Sequence, residues 1–410
     1  MNNSLMKNFS WSFIGNLIYA LTQWFLIVII AKLGSPYDAG VYSLGLAISA
    51  PFIMFINFNF RALQSTDLSS KYGFTSFKAI RVLGILFFLF VFLILIIISN
   101  YSFDVMIVLF LIALSKIVES FSDLYYGLFQ YKERLDIVSK STINRGIIGT
   151  TFFGIGYYFF EDLIFALIFM TTIWILNLIL YDLKNSEIFL KDSSEIIVKD
   201  NIVKLLRIGF PLGLIASIAS LNVNIPRIVI ENHLTFQELG YFTVIFYLVL
   251  VIGKFVTSIS SAVLPRMALL YKENKKNVFL KILSMIIIFI AIFSFLIIIL
   301  SYYFGSELLE IAYGKEYASY KNLLFLIMIY GLFNYFGVAF EIALNAMKVY
   351  RYRLFIEVLA TLLIIVSSAF LIPHIGLNGA AFSLIFSSIF KLILLIVLFL
   401  SKFISEKGGR

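Results

Sequence analysis

The chain has 410 residues, of which 61% are hydrophobic and 13% charged, and its mean hydropathy is +1.00. Soluble domains carry about 25% charged residues, and a chain of this length cannot hide so much apolar surface in one core. A soluble enzyme, a disordered chain and a secreted disulfide scaffold are therefore excluded. The lack of cysteine removes thiol chemistry and Cys-ligated metals. The two histidines, His233 and His374, lie far apart in expected loops, which argues against a His-ligated metal; no cofactor is expected.

Apolar runs long enough to cross a bilayer, roughly 20 residues each, predict helices over 9–31, 39–60, 82–99, 105–125, 143–160 and 163–183. A second set follows over 208–230, 240–262, 282–301, 323–347, 354–372 and 377–401. The runs are continuous, whereas barrel strands alternate. The first lacks a small-residue cleavage site and reads as a retained helix rather than a signal peptide. The expectation is an all-α integral membrane protein of about 12 spans.

Charge placement tests this parse. With the N-terminus in the cytoplasm, Lys32, Lys315 and Lys321 fall in outside loops. Lys116, Arg145, Arg227, Lys254 and Lys391 fall within helices. The remaining 24 of the 32 Lys and Arg lie in cytoplasmic segments. This asymmetry is the positive-inside signal and predicts that both termini are cytoplasmic. The net charge of +9 follows from topology and gives no evidence for nucleic-acid binding.

The link 184–207, with Lys184, Glu187, Lys191, Asp192, Glu195, Lys199 and Asp200, reads as a solvated cytoplasmic linker between lobes 1–183 and 208–410. The lobes look related. Ser-Pro-Tyr-Asp-Ala-Gly-Val-Tyr-Ser at 35–43 aligns with Thr-Phe-Gln-Glu-Leu-Gly-Tyr-Phe-Thr at 235–243, an offset of 200, and each joins the first and second helix of its half. Six helices per half give both halves the same orientation, with an axis along the membrane normal as in several transporters.

Five segments carry a family likeness: Leu-Arg-Ile-Gly-Phe-Pro-Leu at 206–212, Asn-Ile-Pro-Arg-Ile-Val-Ile at 224–230, Gln-Glu-Leu-Gly-Tyr-Phe at 237–242, Gly-Leu-Phe-Gln-Tyr-Lys-Glu-Arg at 127–134 and Gly-Leu-Asn-Gly-Ala-Ala-Phe at 376–382. In this order and topology the chain resembles the polysaccharide-exporter branch of the multidrug/oligosaccharidyl-lipid/polysaccharide flippase superfamily, the Wzx-type O-antigen transporters. The resemblance implies two six-helix lobes around a central cavity. It also implies a cargo of undecaprenyl-diphosphate-linked oligosaccharide, an O-antigen or capsular repeat unit. Membrane lipids, and a polymerase and chain-length proteins of the same pathway, are the implied partners. The 2–3 loop lacks the Gly-Arg-rich signature of a major-facilitator protein, and no G-x-x-x-x-G-K-[ST] phosphate loop is present.

Charges inside apolar helices are expensive and usually face protein or water. Lys116, Glu119 and Asp123 share one face of the fourth predicted helix at i, i+3 and i+7. They read as a cavity wall with a coupling carboxylate or as a self-neutralising lock; Asp123, near the cytoplasmic end, fits the lock. The seventh helix carries the stripe Ser217, Ser220, Asn224 and Arg227. Arg227 has the planar fork that suits a diphosphate, or it snorkels to the outer interface. The first helix has the analogous stripe Ser12, Asn16, Tyr19 and Gln23. The resemblance implies that Lys254 is the better cavity cation, because second-helix positions flank the lobe interface in that family, and Lys391 is the weaker one; Arg145, near a cytoplasmic helix end, faces headgroups. Asn334, Glu341 and Asn345 line the tenth helix, where Glu341 either titrates or pairs with a cation. Pro51 marks a kink, and Trp24 is an aromatic able to stack on sugar.

The reading favoured is a flippase of the bacterial inner (cytoplasmic) membrane working by alternating access, not an enzyme. A membrane polymerase or glycosyltransferase would need a larger outside domain than 302–322, with Glu307, Glu310 and Glu316. A drug/cation antiporter of the same superfamily would need an acidic cavity, whereas Lys116, Arg227, Lys254 and Lys391 favour an anion.

Overall fold

The computed structural model describes residues 3–66, 72–190, 199–349 and 352–405, and every regular element among them is helical. The expected cytoplasmic charges Lys71, Lys191, Arg351, Lys407 and Arg410, and the linker acids Asp192 and Glu195, lie outside the described residues. Ten helices among the described residues are long and apolar enough to cross a membrane. The sequence count of twelve rests on two further segments. One is the 26-residue α6, Leu135–Phe160; the other comes from the 53-residue α14, Arg353–Ser405, which breaks at Ile375 and Gly376. Gly376 has φ 60 and ψ −141 there, a conformation open to glycine alone.

The chain divides into two compact units, Met1–Leu221 and Asn222–Arg410. In the first, α1 (Asn3–Leu33) lies along α6, and α6 along α7 (Leu163–Asn177). Both α2 (Pro36–Ile56) and the short α3 (Phe60–Thr66) lie along α5 (Phe103–Tyr131), and α4 (Phe74–Ile98) packs on α2 and α5. A π-helical turn, Leu178–Leu183, carries α7 into α8, Lys184–Leu190. After residue 198, α9 (Lys199–His233) runs through the boundary of the two units. In the second unit α13 (Lys321–Ala346) packs on α10 (Phe236–Lys272), α11 (Lys276–Tyr313) and α14. A single turn, α12, Lys315–Ala318, joins α11 to α13.

The repeated motif sets two helix starts in the same way. Ser35 accepts from the Asp38 backbone N–H while Asp38 accepts from the Ser35 backbone N–H. Thr235 and Glu238 make the same reciprocal pair at the start of α10. A hydroxyl followed three residues later by a carboxylate satisfies two orphan donors at once. Both boxes are legible in the aligned segments.

Several expected boundaries move. The linker 184–207 holds α8 and the first turns of α9, and α9 through Leu221 belongs to the first unit. The reason is apolar: Leu205 joins Phe58, Phe60, Phe77, Ile80 and Leu124 in one buried cluster. Pro51 sits inside α2 without ending it, and the chain breaks instead at Phe58 and Asn59, with φ 50 and 52. The expected outside loop 302–322 is largely helical, from the end of α11 through α12. His233 ends α9 and His374 lies in α14 stacked on Phe370, so neither is in a loop.

The break after α2 is pressed against α9. A Cβ on Gly213 would stand 2.4 Å from the Phe55 carbonyl oxygen, so this contact requires glycine. The Gly213→Ala variant should lose about 1–3 kcal/mol, as overpacked cores do. The check is the thermal midpoint of the purified protein, with Gly253→Ala as the comparison, because there a Cβ meets only Tyr335 Cε1 at 3.3 Å.

Large apolar side chains remain on the outside, among them Leu83, Phe90, Ile97, Ile292, Phe295 and Ile311. In water such a surface would drive aggregation. Helices whose backbone groups bond internally carry it into hydrocarbon without loss. The chain is a multi-pass membrane protein.

Candidate functional site

Each unit holds a cluster of intramembrane charges centred on a glutamate. In the first unit that residue is Glu119 of α5. Lys116 reaches it at 2.8 Å from the preceding turn, and Arg145 of α6 at 3.2 Å. Tyr19 of α1 donates its hydroxyl to Glu119 Oε1 at 2.8 Å. Arg145 is only 3% exposed and stands over the rings of Tyr19, Trp174 and Tyr126. Among the described residues its Nε and Nη1 have no hydrogen-bond partner, and neither does Gln23 Nε2. Two cations on one carboxylate leave the cluster one positive charge in excess.

In the second unit the centre is Glu341 of α13. Arg353 contacts it at 3.2 Å and Lys391 at 2.8 Å, and Lys391 also holds Glu357 at 2.6 Å. Asn222 of α9 donates to Glu357 at 3.0 Å, and Thr361 donates to Asn222 at 2.6 Å. Arg353 also donates to Asn345 at 2.7 Å. Two cations meet two carboxylates, so this cluster is neutral. It ties both arms of α14 to α13 and to α9.

A third network surrounds Arg81, which is 0% exposed within α4. It donates to Ser120 at 2.8 Å and to Asn57, and it pairs with Asp123 at 3.6 Å. Arg61 reaches the other oxygen of Asp123 at 3.7 Å and donates to Gln130. The network fastens α5 and α4 to the break that follows α2.

These geometries show where each residue singled out in the sequence lies. Lys116 and Glu119 pair at 2.8 Å, and Arg145 of α6 joins the same carboxylate at 3.2 Å. Arg145 does not face headgroups: α6 begins at Leu135, eight residues earlier than expected, so Arg145 falls well inside the helix. Asp123 joins a different network from Glu119, because two arginines from outside α5 draw it toward α4. Glu341 is ion-paired, and Lys391 is held by two carboxylates. Arg227 does not snorkel: it is 4% exposed, donates to Asn224 at 3.1 Å, and stands over Phe246 and Tyr247. Lys254 is exposed, and so is Asn16, whose amide lies 3.5 Å from Ser12. Residue spacing did not reveal Arg81, Asp182, Arg353 or Glu357 as partners. Arg81 and Arg353 were legible as cations next to expected helix starts, and Asp182 as a lone acid in the run Leu178–Leu183.

The model of a family described as polysaccharide biosynthesis protein matches residues 5–271. The capsular polysaccharide biosynthesis protein CapF of Staphylococcus aureus is 31% identical over 389 residues, which cover 93% of this chain and 96% of that protein. Among solved structures, the lipid II flippase MurJ in an inward closed conformation is similar at a TM-score of 0.73 and 17% identity, over 95% of this chain and 86% of that one. A variant of the Vibrio cholerae MATE transporter VcmN is similar at 0.62 and 13%, over 98% and 97%. A fold shared with MurJ and the MATE transporters, and a match to a curated relative along nearly the whole chain, lead to one conclusion: this chain belongs to the polysaccharide biosynthesis protein family.

Proposed function

We propose that the chain is a flippase that moves undecaprenyl-diphosphate-linked oligosaccharide, a capsular or O-antigen repeat unit, across the bacterial cytoplasmic membrane, with both of its own termini cytoplasmic. The observation that carries this reading is the likeness to a capsular polysaccharide protein over 93% of the chain, in a fold shared with a lipid II flippase. The chemistry agrees. Glu119, Asp123, Glu341 and Glu357 each face a Lys or Arg of the same chain. A cationic drug would have to displace those cations, which are tethered and close. An anionic cargo meets no such competition, and the Glu119 cluster has positive charge to spare. Glu307, Glu310 and Glu316, the acids considered for a catalytic outer loop, are all exposed on α11 and α12. We assign contact with the diphosphate to Lys116, Arg227 and Lys254, and contact with sugar to Asn16, Gln23 and Asn224.

Deleting the gene should leave lipid-linked repeat units unpolymerised on the cytoplasmic side, and surface polymer should return on complementation. In the complemented strain, Arg227→Ala should lower export at unchanged membrane abundance. Arg227→Lys should restore only part, because charge returns without the bidentate fork. Normal polymer in the deletion strain, with no redundant transporter, would overturn the proposal. Loss of drug resistance with polymer intact would point to the antiporter instead.

A further inference from the structure

Asp182 has no part in the clusters above. It is 0% exposed, and among the described residues no Lys or Arg nitrogen lies within 4.0 Å of it. It sits on the π-helical turn Leu178–Leu183. A π turn inserts a residue into the helical register and is frequent at functional positions. Here the turn brings Asp182 against α5 and α6. Ser122 donates to Asp182 Oδ2 at 2.7 Å, and Ser141 lies 2.6 Å from Oδ1. Both serines are 0% exposed. The titratable groups around this carboxyl are Tyr125 and Tyr126 of α5, Arg145 of α6 and Tyr181 of its own turn. Lys184 and Glu187 of α8 are exposed.

Two neutral hydroxyls hold a carboxyl that has been taken out of water. The chain gives Glu119, Glu341 and Glu357 a cation in the same circumstance, because an isolated buried charge costs too much to keep. We propose that at Asp182 the missing positive charge is a proton, and that Ser141 and Tyr126 relay its presence to the Glu119 cluster.

The hydrogen bonds give the relay two self-consistent states. Ser141 Oγ also lies 2.8 Å from Tyr126 Oη, where either oxygen can donate, and it accepts from Asn177 at 2.9 Å. With Asp182 ionised, Ser122 and Ser141 both donate to it, and Tyr126 donates to Ser141. With a proton on Oδ1, Asp182 donates to Ser141, whose own hydrogen then turns to Tyr126. Ser141 still accepts from Asn177, and Ser122 still donates to Oδ2. One proton added at Asp182 thus reverses the Asp182–Ser141 and Ser141–Tyr126 bonds without moving a heavy atom. Tyr126 lies beneath the Arg145 guanidinium at 5.9 Å, and Arg145 pairs with Glu119 at 3.2 Å. The charge state of Asp182 is therefore felt at the cluster with the positive excess.

The test is infrared difference spectroscopy of the full-length protein in lipid vesicles after a pH jump, with no saccharide present. A carboxylic carbonyl band should appear on acidification, vanish in Asp182→Asn and persist in Glu119→Gln. In the Ser122→Ala, Ser141→Ala double variant the band should shift in frequency, because its carbonyl loses the serine partners. A band that survives in Asp182→Asn places the proton elsewhere, and no band at any pH keeps Asp182 ionised; either result overturns the proposal. If Asp182→Asn fails to fold, an unshifted band in the double-serine variant overturns it. The readout needs no cargo, so it stands or falls separately from the flippase reading.

Discussion

Replacing Lys391 with Met should lower the stability of the protein by about 3–5 kcal/mol, the cost of breaking a buried ion pair from one side. The cause is what stays behind. Glu341 and Glu357 approach a single ammonium at 2.8 and 2.6 Å, and their side chains are 21% and 8% exposed. Without Lys391, two carboxylates face each other in a low-dielectric interior with Arg353 as their nearest countercharge. Of the two carboxylates, Arg353 pairs with Glu341, at 3.2 Å. The methionine keeps the volume, so the loss is electrostatic rather than a cavity. Adding Glu357→Gln to Lys391→Met should recover a large part, because the amide keeps a hydrogen-bond partner for Asn222 and removes one charge. The measurement is the thermal midpoint of the detergent-solubilised protein for the single and double variants. A single variant within about 0.5 kcal/mol of the parent, the range of an ordinary surface change, would show that the cluster is hydrated and carries little.

Glu119→Ala should be similarly costly, at about 3–5 kcal/mol, for the opposite reason: it strands cations. Arg145 would keep its aromatic neighbours Tyr19, Trp174 and Tyr126 but lose its carboxylate, and rings compensate a guanidinium by only about 2 kcal/mol. Lys116, with a side chain 20% exposed, can turn toward water and loses less. Glu119→Ala combined with Arg145→Met should therefore be more stable than Glu119→Ala alone, since apolar side chains replace buried ion pairs with little or no loss. Tyr19→Phe removes one hydrogen bond to a charged group and should cost about 1.5–3 kcal/mol. Unfolding midpoints rank the four proteins. If the double variant is no more stable than Glu119→Ala, Arg145 is not the stranded charge.

The sequence by itself determined the membrane class, the approximate spans and the repeated segment that starts the second helix of each half. Apolar run length, charge asymmetry and a segment repeated at an offset of 200 are quantities of the chain itself that need no partner. It also placed Lys116 and Glu119 on one face, because helical spacing alone brings i and i+3 together. The family likeness was legible in five short segments. The partners of the charges were not. Spacing shows which face a residue occupies, not which helix that face meets. Glu119 is bound from Tyr19, 100 residues before it, and from Arg145, 26 residues after it. Asp182 is bound by Ser122 and Ser141, at separations of 60 and 41 residues. The early start of α6, the break at Phe58 and Asn59, and the docking of α9 through Leu205 and Gly213 on the first unit were likewise decided by packing. A buried charge takes its meaning from the nearest countercharge, and in a helical membrane protein that countercharge comes from another helix, which only the tertiary fold brings within reach.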